Sequence, residues 1–89
     1  MRVHVYVSGI VQGVFFRDFT QRQGEFNRLA GWVRNLPDGR VEAVAEGNAE
    51  DVERWLAALR QGPPSSRVDG IEVVSGEAEE GLGEFEVKY

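Results

Sequence analysis

The chain has 89 residues, 42% of them hydrophobic and 28% charged, with a formal net charge of −5 at pH 7. This composition is typical of one small globular domain over residues 1–89 and excludes a fibrous or disordered chain. The acidic balance argues against a nucleic-acid partner, which usually needs clustered Lys and Arg. The absence of cysteine excludes disulfides and thiolate chemistry.

No apolar run approaches the roughly 20 residues of a membrane span, and no basic segment followed by an apolar one opens the chain. We therefore expect a cytoplasmic protein without a membrane partner. Nothing in the sequence demands more than a monomer.

The first half of the chain predicts a strand, a helix and a hairpin. Residues 2–7 alternate valines with polar side chains, as a half-buried strand does. From about residue 16 to residue 27, Phe16, Phe19 and Phe26 fall on one helical stripe, which predicts that all three pack in the core. Residues 29–36 and 40–46 read as strands joined by a turn at Pro37-Asp38-Gly39.

The second half predicts a helix and two further strands. Asn48 is placed to cap a helix that ends at Gly62, and residues 67–74 favour a strand. A polar loop over 75–83 leads to a short final strand over 85–89. The order β-α-β-β-α-β-β predicts a ferredoxin-like α/β (α+β) sandwich with an extra C-terminal strand and both helices on one face of a mainly antiparallel sheet.

Between the first strand and the first helix lies a glycine-spaced turn that is typical of an anion site. Gly9 and Gly13 let the backbone fold inward, and the amides at the start of a helix have no carbonyl partners of their own. Arg17 lies in the first helical turn, against the helix dipole, so a bound anion would explain it. The alternative is an ordinary surface arginine. A β-branched residue at Gly13 is expected to close the cradle.

Asn35 ends the second strand. If strands one and two are parallel with strand three between them, Asn35 and the loop lie at the same edge of the sheet, roughly 10 Å apart. Asn35 then has two possible roles, as a turn former or as a functional side chain.

The chemical groups that the sequence lacks restrict the reaction. We find no convincing metal cluster, so we expect no cofactor, and His4, the only histidine, alternates with strand valines. Water would attack with little help, which limits hydrolysis to a good leaving group such as a carboxylate, whose conjugate acid has a pKa of about 4. We interpret the carboxylates as a solvated face: Glu42, Glu46, Glu50, Asp51, Glu53, Glu77, Glu79 and Glu80.

The chain resembles the acylphosphatase family over essentially its full length. The residues that carry the resemblance are Gly9-x-Val11-Gln12-Gly13-Val14-x-Phe16-Arg17, Gly31-Trp32-Val33-Arg34-Asn35, Asp38-Gly39-x-Val41-Glu42, Gly47, Gly62-Pro63-Pro64-Ser65-Ser66-Arg67-Val68 and Phe85-x-Val87-x-Tyr89.

The resemblance implies metal-independent hydrolysis of a small-molecule acyl phosphate to a carboxylate and orthophosphate. It implies that Arg17 binds the phosphate and that Asn35 positions the attacking water. The loop amides would come from Val11, Gln12, Gly13, Val14, Phe15 and Phe16.

One segment departs from the family pattern. Where the family usually reads Ala-x-x-Leu-Gly-Leu-x-Gly-Trp, this chain has Asn27 in place of the first leucine and Arg28 in place of the first glycine. We expect Asn27 to replace the helix-ending glycine in part, because asparagine tolerates the left-handed conformation.

Two other functions fit parts of the pattern. One is a non-catalytic anion-binding module of the kind fused to larger carbamoyl-transfer proteins, against which a chain ending at Tyr89 argues. The other is an RNA-binding module with Val14-Phe15-Phe16 as a platform, against which the missing RNP pattern and the acidic charge argue.

Overall fold

A computed structural model describes residues 1–76 and 82–89. In chain order the elements are β1 (Arg2–Ile10), α1 (Phe16–Phe26), β2 (Ala30–Asn35), β3 (Val41–Glu46), α2 (Ala49–Gln61), β4 (Arg67–Gly76) and β5 (Glu86–Lys88). The sheet has the order β4-β1-β3-β2-β5, and only β5 runs parallel to its neighbour. The predicted ferredoxin-like architecture with an extra terminal strand is confirmed.

The core lies between the sheet and the two helices. Val3, Val5 and Val7 of β1 are fully buried, as their alternation predicts, and they belong to one apolar cluster with Trp55 and Leu59 of α2. Full burial of a side chain of this size stabilises the fold by about 1.5 to 3 kcal/mol. The Trp55 indole N–H donates to the Thr20 carbonyl oxygen at 3.2 Å and ties α2 to α1.

The prediction for the aromatic stripe of α1 is wrong at Phe26, which is 82% exposed. The buried residues of the helix are Phe16, Thr20 and Gly24, at intervals of four. A β-carbon on Gly24 would lie 2.3 Å from the Phe85 ring, so the glycine allows that ring to pack against the helix backbone. Phe26 then lies about 120° around the helix from Thr20 and points away from the core.

The end of α1 also differs from expectation. Asn27 has φ −92°, and the left-handed residue is Arg28, with φ 59°. Asn27 is buried and its side-chain amide donates to the Gln23 carbonyl oxygen at 2.8 Å, which holds it in a near-helical conformation. The reversal of the chain therefore falls on Arg28, where the family pattern has glycine.

The start of α2 lacks the predicted cap. Asn48 does occupy the position before the helix, but its side chain makes no capping hydrogen bond. Asp51 in the first turn is buried and pairs with Arg54, so the interpretation of Asp51 as a solvated carboxylate is wrong.

Glu42 is a second carboxylate that the sequence placed in solvent and that the structure buries, at 5% exposure. His4 Nε2 donates to its carboxylate at 2.6 Å, and Arg34 Nε donates at 2.5 Å. Burial works to raise the pKa of Glu42, but these two hydrogen bonds outweigh it and hold the pKa below its ordinary value of 4.5. Glu77, Glu79 and Glu80 lie outside the described residues.

Strands β1 and β4 are both longer than predicted, for one shared reason. They pair from Arg2 opposite Gly76 to Ile10 opposite Arg67, with an irregularity between Ser8 and Gly9. A β-carbon on Gly9 would lie 2.1 Å from the Arg67 carbonyl oxygen, so this close approach requires glycine. Residues 75 and 76 of the predicted loop belong to β4, and residues 77–81 lie outside the described residues. Neither α1 nor α2 has the length and apolar character of a membrane-spanning helix.

We expect Arg28→Gly to stabilise the protein. A left-handed conformation costs a non-glycine residue about 1 to 2 kcal/mol, and the greater freedom of glycine in the unfolded chain offsets about 0.5 to 1 kcal/mol of that gain. Urea unfolding should show a net increase of about 0.5 to 1 kcal/mol. Arg22→Gly, inside α1, is the matched control and should lose about 1 kcal/mol. Unchanged or reduced stability of Arg28→Gly would contradict the claim that the left-handed backbone of Arg28 costs free energy.

We expect the pairing of Glu42 to make stability depend on pH. The pKa is lower in the folded protein, so the stabilisation is present above the unfolded value of about 4.5 and is lost as the pH falls through the folded value. Glu42→Gln should lower the free energy of unfolding at pH 7 by about 1 to 2 kcal/mol. This range already allows for solvent around half-exposed Arg34, which weakens the ion pair of Arg34 with Glu42. The difference from the parent should shrink in acid.

The matched control for this prediction is Glu72→Gln, at an exposed position of β4, which β1 separates from β3 in the sheet. It should leave the pH dependence of unfolding close to that of the parent. A Glu42→Gln difference that stays constant from pH 7 to pH 3 would argue against a role for the Glu42 charge.

Candidate active site

The loop between β1 and α1 lies at the same end of the sheet as Asn35. Both neighbouring strands pair antiparallel with β3, and Val7 of β1 and Asn35 of β2 are both opposite Val41. β1 and β2 are therefore parallel, with β3 between them, as the sequence predicted. Two strand spacings, roughly 10 Å, separate the sides of the site.

The loop over 11–15 is shaped by two left-handed residues. Gly13 has φ 72°, and Phe15, which precedes α1, has φ 63°. Within the described residues, the backbone N–H groups of Gln12 to Phe15 donate to no other backbone group. No side chain caps the start of α1 either. The loop thus presents amide donors that are free to bind an anion.

Contacts on two sides hold the loop in place. On one side, the Gln12 side-chain amide donates to the Leu36 carbonyl oxygen at 2.7 Å and to the Arg40 carbonyl oxygen at 2.9 Å. On the other, the Ser65 hydroxyl donates to the Val14 carbonyl oxygen at 3.2 Å. The loop is anchored to the β2–β3 turn and to the segment that follows α2.

A cavity of about 630 Å³ opens between this loop, the end of β2 and the end of the chain. Of the predicted site residues, Gln12 and Val14 do not line it. The residues that do are Val11, Gly13, Phe15, Phe16, Arg17, Asp18, Gln21, Asn35, Glu86, Val87 and Tyr89.

Arg17 supplies the positive charge in this cavity. It is half-buried, and its guanidinium lies 4.7 Å from the centre of the Tyr89 ring. The neighbouring Asp18 pairs with Arg22 at 3.0 Å. Among the described residues Arg17 has no carboxylate partner, so its planar fork of N–H donors is available for two oxygens of one phosphate.

Asn35 contributes an unsatisfied acceptor. Its Oδ1 atom is buried and accepts no hydrogen bond from any described residue. An unpartnered buried acceptor costs about 1 to 3 kcal/mol. A side chain kept at that cost in a cavity is suited to accept a hydrogen bond from a bound molecule.

Strand β5 brings residues to the cavity that the sequence had not assigned to the site. Val87 lies opposite Val33 and Lys88 opposite Arg34, so the register carries Tyr89 toward Asn35. The alternation of Phe85, Val87 and Tyr89 predicts a strand but gives no partner for it. Only its pairing with β2 could have revealed this side of the site.

Comparison with known proteins gives the family. The family model described as "Acylphosphatase" matches residues 3–87. The chain belongs to the acylphosphatase family. It is 55% identical over 87 residues to an acylphosphatase of Rubrobacter xylanophilus, which spans 98% of this chain and 79% of the relative. It is 54% identical over 90 residues to an acylphosphatase of Syntrophotalea carbinolica, covering 100% and 97%.

The fold agrees with that of a solved family member. The crystal structure of acylphosphatase from Bacillus subtilis superposes with a TM-score of 0.95 at 40% sequence identity, covering 99% of this chain and 98% of that one. The resemblance found in the motifs is confirmed, and so is the prediction of an enzyme of the family that hydrolyses acyl phosphates.

Gly13 has a left-handed backbone. A β-carbon there would meet no described protein atom within 4 Å, so within the protein the objection to a side chain is the backbone conformation. That a β-branched residue would close the anion cradle stays a prediction. We expect Gly13→Ala to cost about 1 to 2 kcal/mol in urea unfolding. Gly13→Asn should cost less, because asparagine tolerates this conformation. If space were limiting, the larger asparagine would be the more harmful substitution.

Proposed function

We propose that this protein hydrolyses acyl phosphates at the cavity between the β1–α1 loop and Asn35, without a metal ion. One observation carries the proposal. Within the part of the chain that the structure describes, Arg17 without a carboxylate partner, loop amides without a backbone acceptor and the unpartnered Oδ1 of Asn35 meet in one cavity. Each of these groups suits one part of an acyl phosphate or of the attacking water.

The phosphoryl group binds in the loop. The backbone N–H groups of residues 11–16 donate to its oxygens, and the Arg17 guanidinium holds two of them. These donors remain in place as negative charge moves through the phosphoryl group, which stabilises the transition state. The chain has a net charge of −5, so anion binding depends on these local groups.

Asn35 orients the water. Its Oδ1 accepts a hydrogen bond from the water, whose oxygen attacks phosphorus on the side opposite the acyl group. As the new P–O bond forms, the bond between phosphorus and the acyl oxygen breaks and the electron pair leaves with the carboxylate. The proton of the water passes to a phosphate oxygen, so the products are a carboxylate and orthophosphate.

The leaving group explains why few catalytic groups are needed. A carboxylate whose conjugate acid has a pKa of about 4 departs without a general acid. Among the described residues, no three histidine or acidic side chains are grouped as metal ligands. We propose that two groups suffice to activate the water: Asn35 orients it, and a phosphate oxygen accepts its proton.

The substrate is a small molecule, and activity as a monomer stays a prediction from the sequence. A cytoplasmic location and the absence of nucleic-acid and membrane partners stay predictions from the sequence.

We expect Asn35→Ala to lower kcat at least about 100-fold, the usual effect of removing a positioned polar group, while phosphate still binds. Arg17→Gln should lose both turnover and phosphate affinity, because two charge-assisted hydrogen bonds disappear. The measurement is phosphate release from acetyl and benzoyl phosphate with a chelator present.

Inorganic phosphate should inhibit the parent competitively, since it occupies the same amides.

Two variants serve as controls. Arg22→Gln removes an exposed arginine from the same helix, and Asn48→Ala removes an asparagine that makes no capping bond. Both should keep parental activity. Parental turnover in Asn35→Ala would overturn the role of Asn35 in positioning water, and phosphate binding without hydrolysis by the parent would point to an anion-binding module instead.

A further inference from the structure

The side chain of Gln12 has a task separate from that of its backbone amide. Its Nε2 group has two N–H donors, and both are occupied, at 2.7 Å by the Leu36 carbonyl oxygen and at 2.9 Å by the Arg40 carbonyl oxygen. The side chain does not line the cavity. Gln12 is therefore not placed to donate to a substrate through this group.

The two carbonyl groups belong to the base of the β2–β3 turn. The Leu36 N–H donates to the Arg40 carbonyl oxygen at 2.8 Å, and the Gly39 N–H donates to the Leu36 carbonyl oxygen at 3.1 Å. Arg40 is further held by Asp38, which accepts from its backbone N–H at 3.0 Å and from its Nε at 2.8 Å. These hydrogen bonds fix the conformation of the turn, and the Gln12 side chain binds the turn at both of its ends.

This turn begins next to Asn35. Asn35 is the last residue of β2, and the Gln12 side-chain amide donates to the carbonyl oxygen of the next residue, Leu36. Gln12 itself lies between Val11 and Gly13, both of which line the cavity. One side chain therefore joins the two halves of the site, which come from strands that are not direct neighbours in the sheet.

We propose that Gln12 is a positioning residue that sets the distance between the phosphate-binding loop and Asn35. The inference rests on the proposed function, because it concerns the alignment of water with phosphorus. Alignment errors of about 1 Å can cost on the order of 100-fold in rate without weakening binding. The loop keeps its second anchor when the Gln12 bonds are lost, because the Ser65 hydroxyl donates to the Val14 carbonyl oxygen at 3.2 Å, so we expect the loop amides and Arg17 to go on binding the phosphate.

The geometry calls for glutamine. Glutamate has the same shape but no donors, and it would place a negative charge against two carbonyl oxygens. Methionine keeps the length and removes the hydrogen bonds. Asparagine keeps the donors but is one methylene shorter, so it does not span to both carbonyl groups.

The test compares Gln12→Met and Gln12→Asn with the parent. We expect kcat for benzoyl phosphate to fall about 10- to 100-fold in Gln12→Met, while the inhibition constant of inorganic phosphate stays within about threefold, since its amides and Arg17 remain. In two-dimensional ¹⁵N–¹H NMR spectra, the Asn35 side-chain amide should shift or broaden. Gln12→Asn should show a smaller fall, and it decides the question if Gln12→Met does not fold.

Gln61→Met is the matched control, because Gln61 is exposed at the end of α2. It should leave both constants and the Asn35 resonance unchanged. Parental kcat in folded Gln12→Met would overturn the proposal, and so would a rise in the phosphate inhibition constant that matches the fall in kcat, which would assign Gln12 to the loop alone. Full activity of Asn35→Ala would contradict the proposed function, whereas parental kcat in folded Gln12→Met would contradict only the role of Gln12. The two failures can therefore be distinguished.

Discussion

The antiparallel pairing of β3 with both β1 and β2 is the constraint on which the site depends. Val41 has Val7 on one side and Asn35 on the other, so a loop and a strand end from distant parts of the sequence meet at one edge. The buried valines that hold this register leave no freedom to slip, because a shift of one residue would turn every core side chain to the wrong face. The same hydrophobic pattern therefore stabilises the fold and aligns the site.

Among the described residues, two that are not glycine have a left-handed backbone, and only one of these two is in the site. Phe15 has a left-handed backbone beside the cavity and is 80% exposed, so its conformation serves the shape of the loop and not the packing of its ring. Arg28 has the same conformation just after α1, where Asn27 keeps a near-helical backbone and leaves the chain reversal to the next residue. A strained backbone therefore does not by itself indicate a functional residue, and the structure around the residue must be considered as well.

The proposed site binds an anion in a protein that is itself acidic. Arg17 has no carboxylate partner among the described residues, and the amides of the loop are dipoles fixed by the fold. Such groups act at short range, whereas the net charge acts through solvent and is screened over about 10 Å at ordinary salt. A few oriented donors are thus enough to select a phosphate.

The sequence alone determined the order of the elements, because alternating valines and glycine-containing turns express local geometry. Its motifs determined the family, and they predicted that Arg17 and Asn35 lie at one edge of the sheet, where both line one cavity. It failed where side chains meet partners from elsewhere in the chain. Phe26 lies outside because Phe85 packs on Gly24, and Glu42 is buried because His4 and Arg34 pair with it. The two hydrogen bonds of Gln12 and the approach of Tyr89 to Arg17 likewise depend on tertiary contacts over long sequence separations, which no local pattern encodes.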